Sequence, residues 1–166
     1  MGMSNAMLTL ARADELIRAH LGDTPRARHT REVGRLMGEL ARRSGNDETL
    51  WTLVGLCHDL DYFAVAGDWS RHGILAGEWL DGELPGVALR AIAAHDHRTG
   101  VTDDSLLGDM LKLADTVANL GDHVGYAALK TEPGEALRQR LGRRVYLVDM
   151  FERLTARHAI RVADLV

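Results

Sequence analysis

The sequence predicts an all-α fold, a single compact helical domain of roughly seven to eight helices. Three observations carry this. Apolar residues recur three and four positions apart through most of the chain, as one face of a helix requires. No stretch alternates apolar and polar residues convincingly with period two, and there is no internal repeat or low-complexity tract. Glycine, proline and the capping residues Ser, Thr, Asn and Asp fall where the periodic stretches begin and end. At 166 residues the chain suits one domain, and 46% hydrophobic with 27% charged residues is ordinary for a globular protein, which argues against disorder.

In order, residues 8–21 place Leu10, Ala13, Ile17 and Leu21 on one side, and Gly22 ends the helix. Asp23-Thr24-Pro25 supplies a cap and a first-turn proline for a second helix through about Arg43, which carries His29. Ser44 to Asp47 is a turn ending in an N-cap. The third helix, Glu48 to about His58, is apolar nearly all round through Trp51, Val54, Leu56 and Cys57, and is expected to be the most buried. Residues 59–69 lack periodicity and read as a loop. Asp68 or Ser70 is expected to cap a fourth helix that carries His72 and ends near Asp81-Gly82. Leu84-Pro85 opens a fifth that carries His95, and His97 to Gly100 forms a second loop. Asp103 is expected to cap a sixth helix, which Gly121 stops. From Thr131-Glu132-Pro133 onward a short helix and a longer one are expected, broken near Gly142, with Leu147, Met150, Phe151 and Leu154 on the apolar side of the last.

The net charge of -4 argues against nucleic acid as the main partner. Cys57 is the one cysteine, so no intrachain disulfide can form and a reducing cytoplasm is the expected location. No apolar run approaches the roughly 20 residues that span a bilayer, so no membrane partner is expected. Residues 1–6 resemble an expression-vector remnant ahead of a native start at Met7, leaving 7–166 as the domain and about 25–120 as its motif-bearing core.

Chemistry concentrates where the third helix ends, in LVGLCHDLDYFAVAGDWSRH. His58 and Asp59 offer an imidazole nitrogen and a carboxylate oxygen side by side, ligand types that an apolar interior does not accept without compensation. More such groups lie on core-facing stripes. His29 is in line with Val33, Leu36, Met37 and Leu40; His72 precedes Leu75, Ala76, Trp79 and Leu80; His95 follows Ala88, Leu89 and Ile92; Asp115 sits among Leu107, Leu111 and Ala118. Desolvating so many charged or polar groups in one interior would cost several kcal/mol each, against a total stability of about 5–15 kcal/mol, and a divalent cation offsets that cost.

The ordered pattern H…HD…H…H…D, with its last Asp inside LKLAD, resembles the signature of the HD-domain superfamily of metal-dependent phosphohydrolases. The likeness runs from His29 to Asp115. It implies an HD-type helical domain. It also implies that His29, His58, Asp59 and Asp115 hold a first metal, with Asp59 bridging, and that His72 and His95 bind a second. Two divalent ions are therefore expected, and nitrogen-plus-carboxylate ligation does not choose among Fe, Mn, Co, Ni and Zn. A metal pair about 3.5–4 Å apart lowers the pKa of bound water from about 15.7 toward about 7 and clamps phosphoryl oxygens, so no side-chain nucleophile is needed. Cys57 reads as core.

Lys112, three residues before Asp115, is a candidate catalytic group beside Asp59. Asp61 and Tyr62 are candidates to line the pocket or act in acid/base work, although Asp61 stands where many relatives have glycine, as in HDIG. Arg71 and Arg98 are candidate phosphate clamps, and His97 a candidate substrate-facing residue. The expected substrate is a small phosphorylated molecule, a nucleotide first among the candidates, and a homodimer is left open. Two other functions stay in view: a di-iron oxygenase of the same superfamily, and a non-catalytic nucleotide-binding module. The HD-GYP phosphodiesterases are disfavoured because HDLD lacks their Gly-Lys and the chain has no GYP tripeptide.

Overall fold

The computed structural model describes residues 7–166. The proposed remnant at 1–6 lies outside the described residues. Among the described residues there are nine α-helices and no β-strand, only an isolated bridge between Asp81 and Leu84. The fold is all-α, as the periodicity requires. No helix is long and apolar enough to cross a membrane among the described residues. The chain divides into two compact units, the first running to Leu111 and the second Lys112–Val166.

In the first unit, α1 (Leu10–Leu21), α2 (Pro25–Ser44) and α3 (Glu48–Cys57) each start on a side chain that accepts a backbone N–H: Thr9 from Arg12, Thr24 from Ala27, and Asp47 from Leu50. Each such cap stabilises its helix by about 1 kcal/mol. Gly45 takes the left-handed conformation past the end of α2. Ile17, Leu21, Val33, Leu36, Met37, Leu40, Trp51, Leu53, Val54 and Cys57 are buried in the core. Helices α2 and α3 cross in near backbone contact: a Cβ on Gly55 would lie 2.7 Å from the Gly34 Cα and 2.8 Å from the Val33 carbonyl oxygen. This crossing puts the early turns of α2 beside the end of α3.

Four expectations need correction. The fourth helix, α4, covers only Ile74–Trp79, so His72 is not on it. His72 is extended (φ -66°, ψ 121°), after a 3₁₀ turn at Trp69–Arg71, and neither Asp68 nor Ser70 caps α4. The cause is Gly73, whose φ of +88° breaks the helical path and whose missing Cβ would stand 2.4 Å from the Ile92 carbonyl oxygen. After α5 (Gly86–Ala94), the α6 helix (Leu106–Val124) is capped by Ser105 rather than Asp103. Ser105 Oγ accepts the Gly108 N–H at 3.0 Å, while the Asp103 carboxylate accepts from Ser105 itself.

Gly121 does not stop α6. It lies within the helix, where a Cβ would meet the Tyr126 ring at 2.3 Å, so its service is to packing. An unexpected helix, α7 (Tyr126–Thr131), follows in the second unit, and then α8 (Gly134–Leu141) and α9 (Tyr146–His158). Leu113, Val117, Leu120, Leu129, Leu137, Leu147, Val148 and Leu154 are among the buried side chains of that unit. Two of its arginines are engaged at the surface. Arg138 donates to Asp149 and Glu152, Arg140 to Glu132.

Candidate metal centre

Three helix ends or turns present a histidine in the same way. His58 is the C-cap of α3 and His95 the C-cap of α5, where the last carbonyls of a helix have no intrahelical donor. Each histidine uses this. Nδ1 of His58 donates to the Gly55 carbonyl at 2.7 Å, and Nδ1 of His95 to the Ile92 carbonyl at 2.6 Å. A carbonyl can only accept, so Nδ1 carries the proton and Nε2 is left as the donor atom. His72, ahead of α4, has its Nδ1 on the Asp61 carboxylate at 2.8 Å.

All of these Nε2 atoms face one carboxylate. Asp59 is 2% exposed; its Oδ1 lies 3.0 Å from His72 Nε2 and 3.4 Å from His95 Nε2. Its Oδ2 lies 3.4 Å from His58 Nε2 and 3.7 Å from His29 Nε2, the last reaching in from α2. Candidate ligand atoms of His29, His58 and Asp59 fall within 4.8 Å of one another, and so do those of Asp59, His72 and His95. Asp59 belongs to both groups. It takes the shared position.

Electrostatics follow from this crowding. Burial alone would raise the Asp59 pKa, but the His58 charge and the hydrogen bonds from His72 and His95 outweigh it and hold the carboxyl well below the usual range. Burial likewise opposes a charged His72, yet Asp59 on one nitrogen and Asp61 on the other push its pKa up to about 10. Lone pairs of several imidazoles aimed at a carboxylate repel it unless positive charge is shared among them, and the positive charge can be a proton or a divalent cation. Buried imidazole nitrogens with anchored Nδ1–H groups around a shared carboxylate fit a divalent metal.

The surroundings revise the assignment of the other candidates. Asp61 is fully buried, and its oxygens accept from His72 Nδ1, from the Gly73 N–H at 2.7 Å and from the Ala76 N–H at 3.0 Å. Its oxygens are committed in this way to the turn that carries His72. Tyr62 lies at the centre, its ring 5.8 Å from that of His72. Arg71 donates to both Glu78 oxygens on the surface, His97 opens an exposed 3₁₀ turn at His97–Thr99, and Arg98 grips Asp96 while its Cζ lies 4.6 Å from the Trp69 ring centroid. Lys112 and Asp115 are on α6 in the second unit, where the Asn119 amide donates to Asp115 Oδ1 at 3.1 Å. Cys57 is buried, and burial with the nearby Glu83 charge raises its thiol to about 12, which suits a core residue.

Two residues escaped the sequence reading. Arg26 Nη1 donates to Asp59 Oδ2 at 2.8 Å while its guanidinium stacks 4.0 Å over the Tyr62 ring. Its signal was available: Arg26 is three residues before His29, on the same helical face. Trp69 packs 5.5 Å from the His72 ring and 5.2 Å from Tyr62, and nothing in an aperiodic loop announced it.

Fold and site together describe an all-helical domain whose helix ends deliver imidazoles to one buried aspartate, the architecture of a metal-binding helical domain. A family model for the HD domain matches residues 26–120, more than half of the chain. The chain belongs to the HD domain family. No curated protein and no solved structure matches it.

Proposed function

We propose that this chain is a metal-dependent phosphohydrolase acting on a phosphoester of a nucleotide or similar small phosphorylated molecule. The observation that carries the reading is the placement of two imidazole Nε2 atoms against each oxygen of Asp59. In this reading His29, His58 and Asp59 would hold one divalent ion and Asp59, His72 and His95 a second, with Asp115 a further ligand by its place in the sequence motif alone. Such a pair supplies Lewis acidity toward phosphoryl oxygens and toward water.

The protein's own groups do the positioning. Arg26, over the Tyr62 ring and bonded to Asp59, presents its guanidinium to a phosphate beside the centre. Trp69 and Tyr62 form an aromatic wall with Arg98 against it, suited to a planar group on the substrate. Lys112 is proposed as a further catalytic cation from its place one helical turn before Asp115; Arg71 and His97 are proposed as outer substrate contacts. A cytoplasmic location is part of the proposal, resting on the lone thiol.

The test is elemental analysis of protein purified without a metal-affinity step, then phosphate release from a nucleotide and sugar-phosphate panel under anaerobic conditions with Mn, Co, Ni, Zn and Fe(II). Release with at least one ion is expected. Absence of release with every ion, or dioxygen consumption instead, overturns the hydrolase.

A further inference from the structure

We infer that Asp61 is a positioning residue with two linked duties: it caps α4 from outside that helix, and it fixes the proton of His72 on Nδ1 so that Nε2 is the atom offered to the metal centre. The second duty rests on the proposed metal reading; the first does not. The cap of α4 falls on Gly73, which has no side chain to accept the unpaired N–H groups of the first turn. A larger residue there would be strained, because a Cβ would meet Ile92 O at 2.4 Å and His95 Nδ1 at 3.2 Å. The acceptor must therefore come from elsewhere. Asp61 supplies it: Oδ2 takes the N–H of the cap residue Gly73 at 2.7 Å and of Ala76, the third helical residue, at 3.0 Å. Those are the two donors that a capping box satisfies from within a helix.

The other oxygen, Oδ1, is thereby aimed at His72 Nδ1 at 2.8 Å. A carboxylate accepts and cannot donate, so the ring proton on that side is obligatory, and Nε2, 3.0 Å from Asp59, is the nitrogen that can release its proton to a cation. His58 and His95 reach the same state through backbone carbonyls of their own helices. His72 follows a 3₁₀ turn and uses the side chain of Asp61 instead. The aspartate in HDLDY is thus tied to the histidine and glycine of RHG.

The structure makes Asp61→Asn a discriminating variant. Two backbone N–H groups demand the amide oxygen, which turns the amide NH₂ toward His72 Nδ1. Nδ1 must then accept, the proton moves to Nε2, and the ring offers no lone pair to a metal, while the cap on α4 survives. Co²⁺ affinity would be measured by calorimetry on chelator-stripped protein, with thermal melting of the metal-free form in parallel. The expected result is a wild type that binds Co²⁺ and an Asp61→Asn protein that melts close to it but binds Co²⁺ about 10- to 100-fold more weakly at its weaker site. Asp61→Gly, which removes both duties, should lower the melting temperature as well.

Unchanged Co²⁺ binding in a folded Asp61→Asn protein overturns this inference and leaves the metal reading standing. Failure of the wild type to bind Co²⁺ removes the metal reading itself. Should the variant not fold, ¹⁵N shifts of His72 in the Zn²⁺-loaded wild type decide: a protonated Nδ1 with a metal-bearing Nε2 supports the inference, and the reverse overturns it.

Discussion

Replacing Gly73 by alanine tests how the backbone and the centre are joined. Gly73 has φ +88°, and an added Cβ would stand 2.4 Å from the Ile92 carbonyl oxygen, a backbone atom that cannot swing aside. Two costs add. A side chain in left-handed backbone costs about 1–2 kcal/mol, and forcing an extra carbon into a packed site costs about 1–3 kcal/mol. Together they come to about 2–5 kcal/mol, a fall of about 4–20 °C in melting temperature for a chain of this length. Gly67 is the internal control, because its φ of +87° is nearly the same yet no atom lies within 4 Å of the added carbon. Gly67→Ala should suffer the first cost alone, about 2–8 °C. Melting followed by circular dichroism at 222 nm reads both. The same carbonyl of Ile92 accepts from His95 Nδ1, so Gly73→Ala should also weaken metal binding where Gly67→Ala does not. Equal losses of stability and affinity in the two variants would refute the steric reasoning.

Other predictions can be checked with the same preparations. Adding Mn²⁺ or Zn²⁺ at about 100 times its dissociation constant to chelated protein should stabilise it by about 2.7 kcal/mol, or about 5–11 °C; His58→Ala and Asp59→Ala should show no such rise and no turnover. Arg26→Ala should retain its metal while kcat/KM falls about 10- to 150-fold, the range set by losing a hydrogen bond between charged groups; an unchanged kcat/KM would remove Arg26 from the substrate site. With its pKa near 12, Cys57 has about one thiolate in ten thousand at pH 8, so it should resist a disulfide reagent until guanidinium unfolds the protein. Rapid labelling of the native protein would show that the thiol is not buried.

Much of this was legible because it rests on short-range rules. His29 was placed by its spacing to Val33, Leu36, Met37 and Leu40, and those residues are buried together with it. Thr24-Pro25 and Asp47 read as caps and act as caps. Periodicity puts His72 on a helix because it treats the following apolar stripe as continuous, and a glycine at positive φ packed on a carbonyl of another helix is invisible to it. The partners of Asp61 at 72, 73 and 76 are brought to it by the fold, and its neighbours in the chain do not announce them. Arg26 carries no signal beyond its spacing to His29, because arginine near a helix start is ordinary on an exposed surface, and only the approach of α3 makes it a neighbour of Asp59.

The glycine crossing of α2 and α3 works as a register mark. With Gly34 and Gly55 in backbone contact and no space for a methyl group, the two rods mesh at one setting. A slip by one helical turn would move His29 about 5.4 Å along its axis, more than the 4.8 Å within which its donor atom, that of His58 and that of Asp59 now gather. Gradual sliding therefore offers no way to tune this centre, and such adjustment falls to the loops that follow Asp59 and His95.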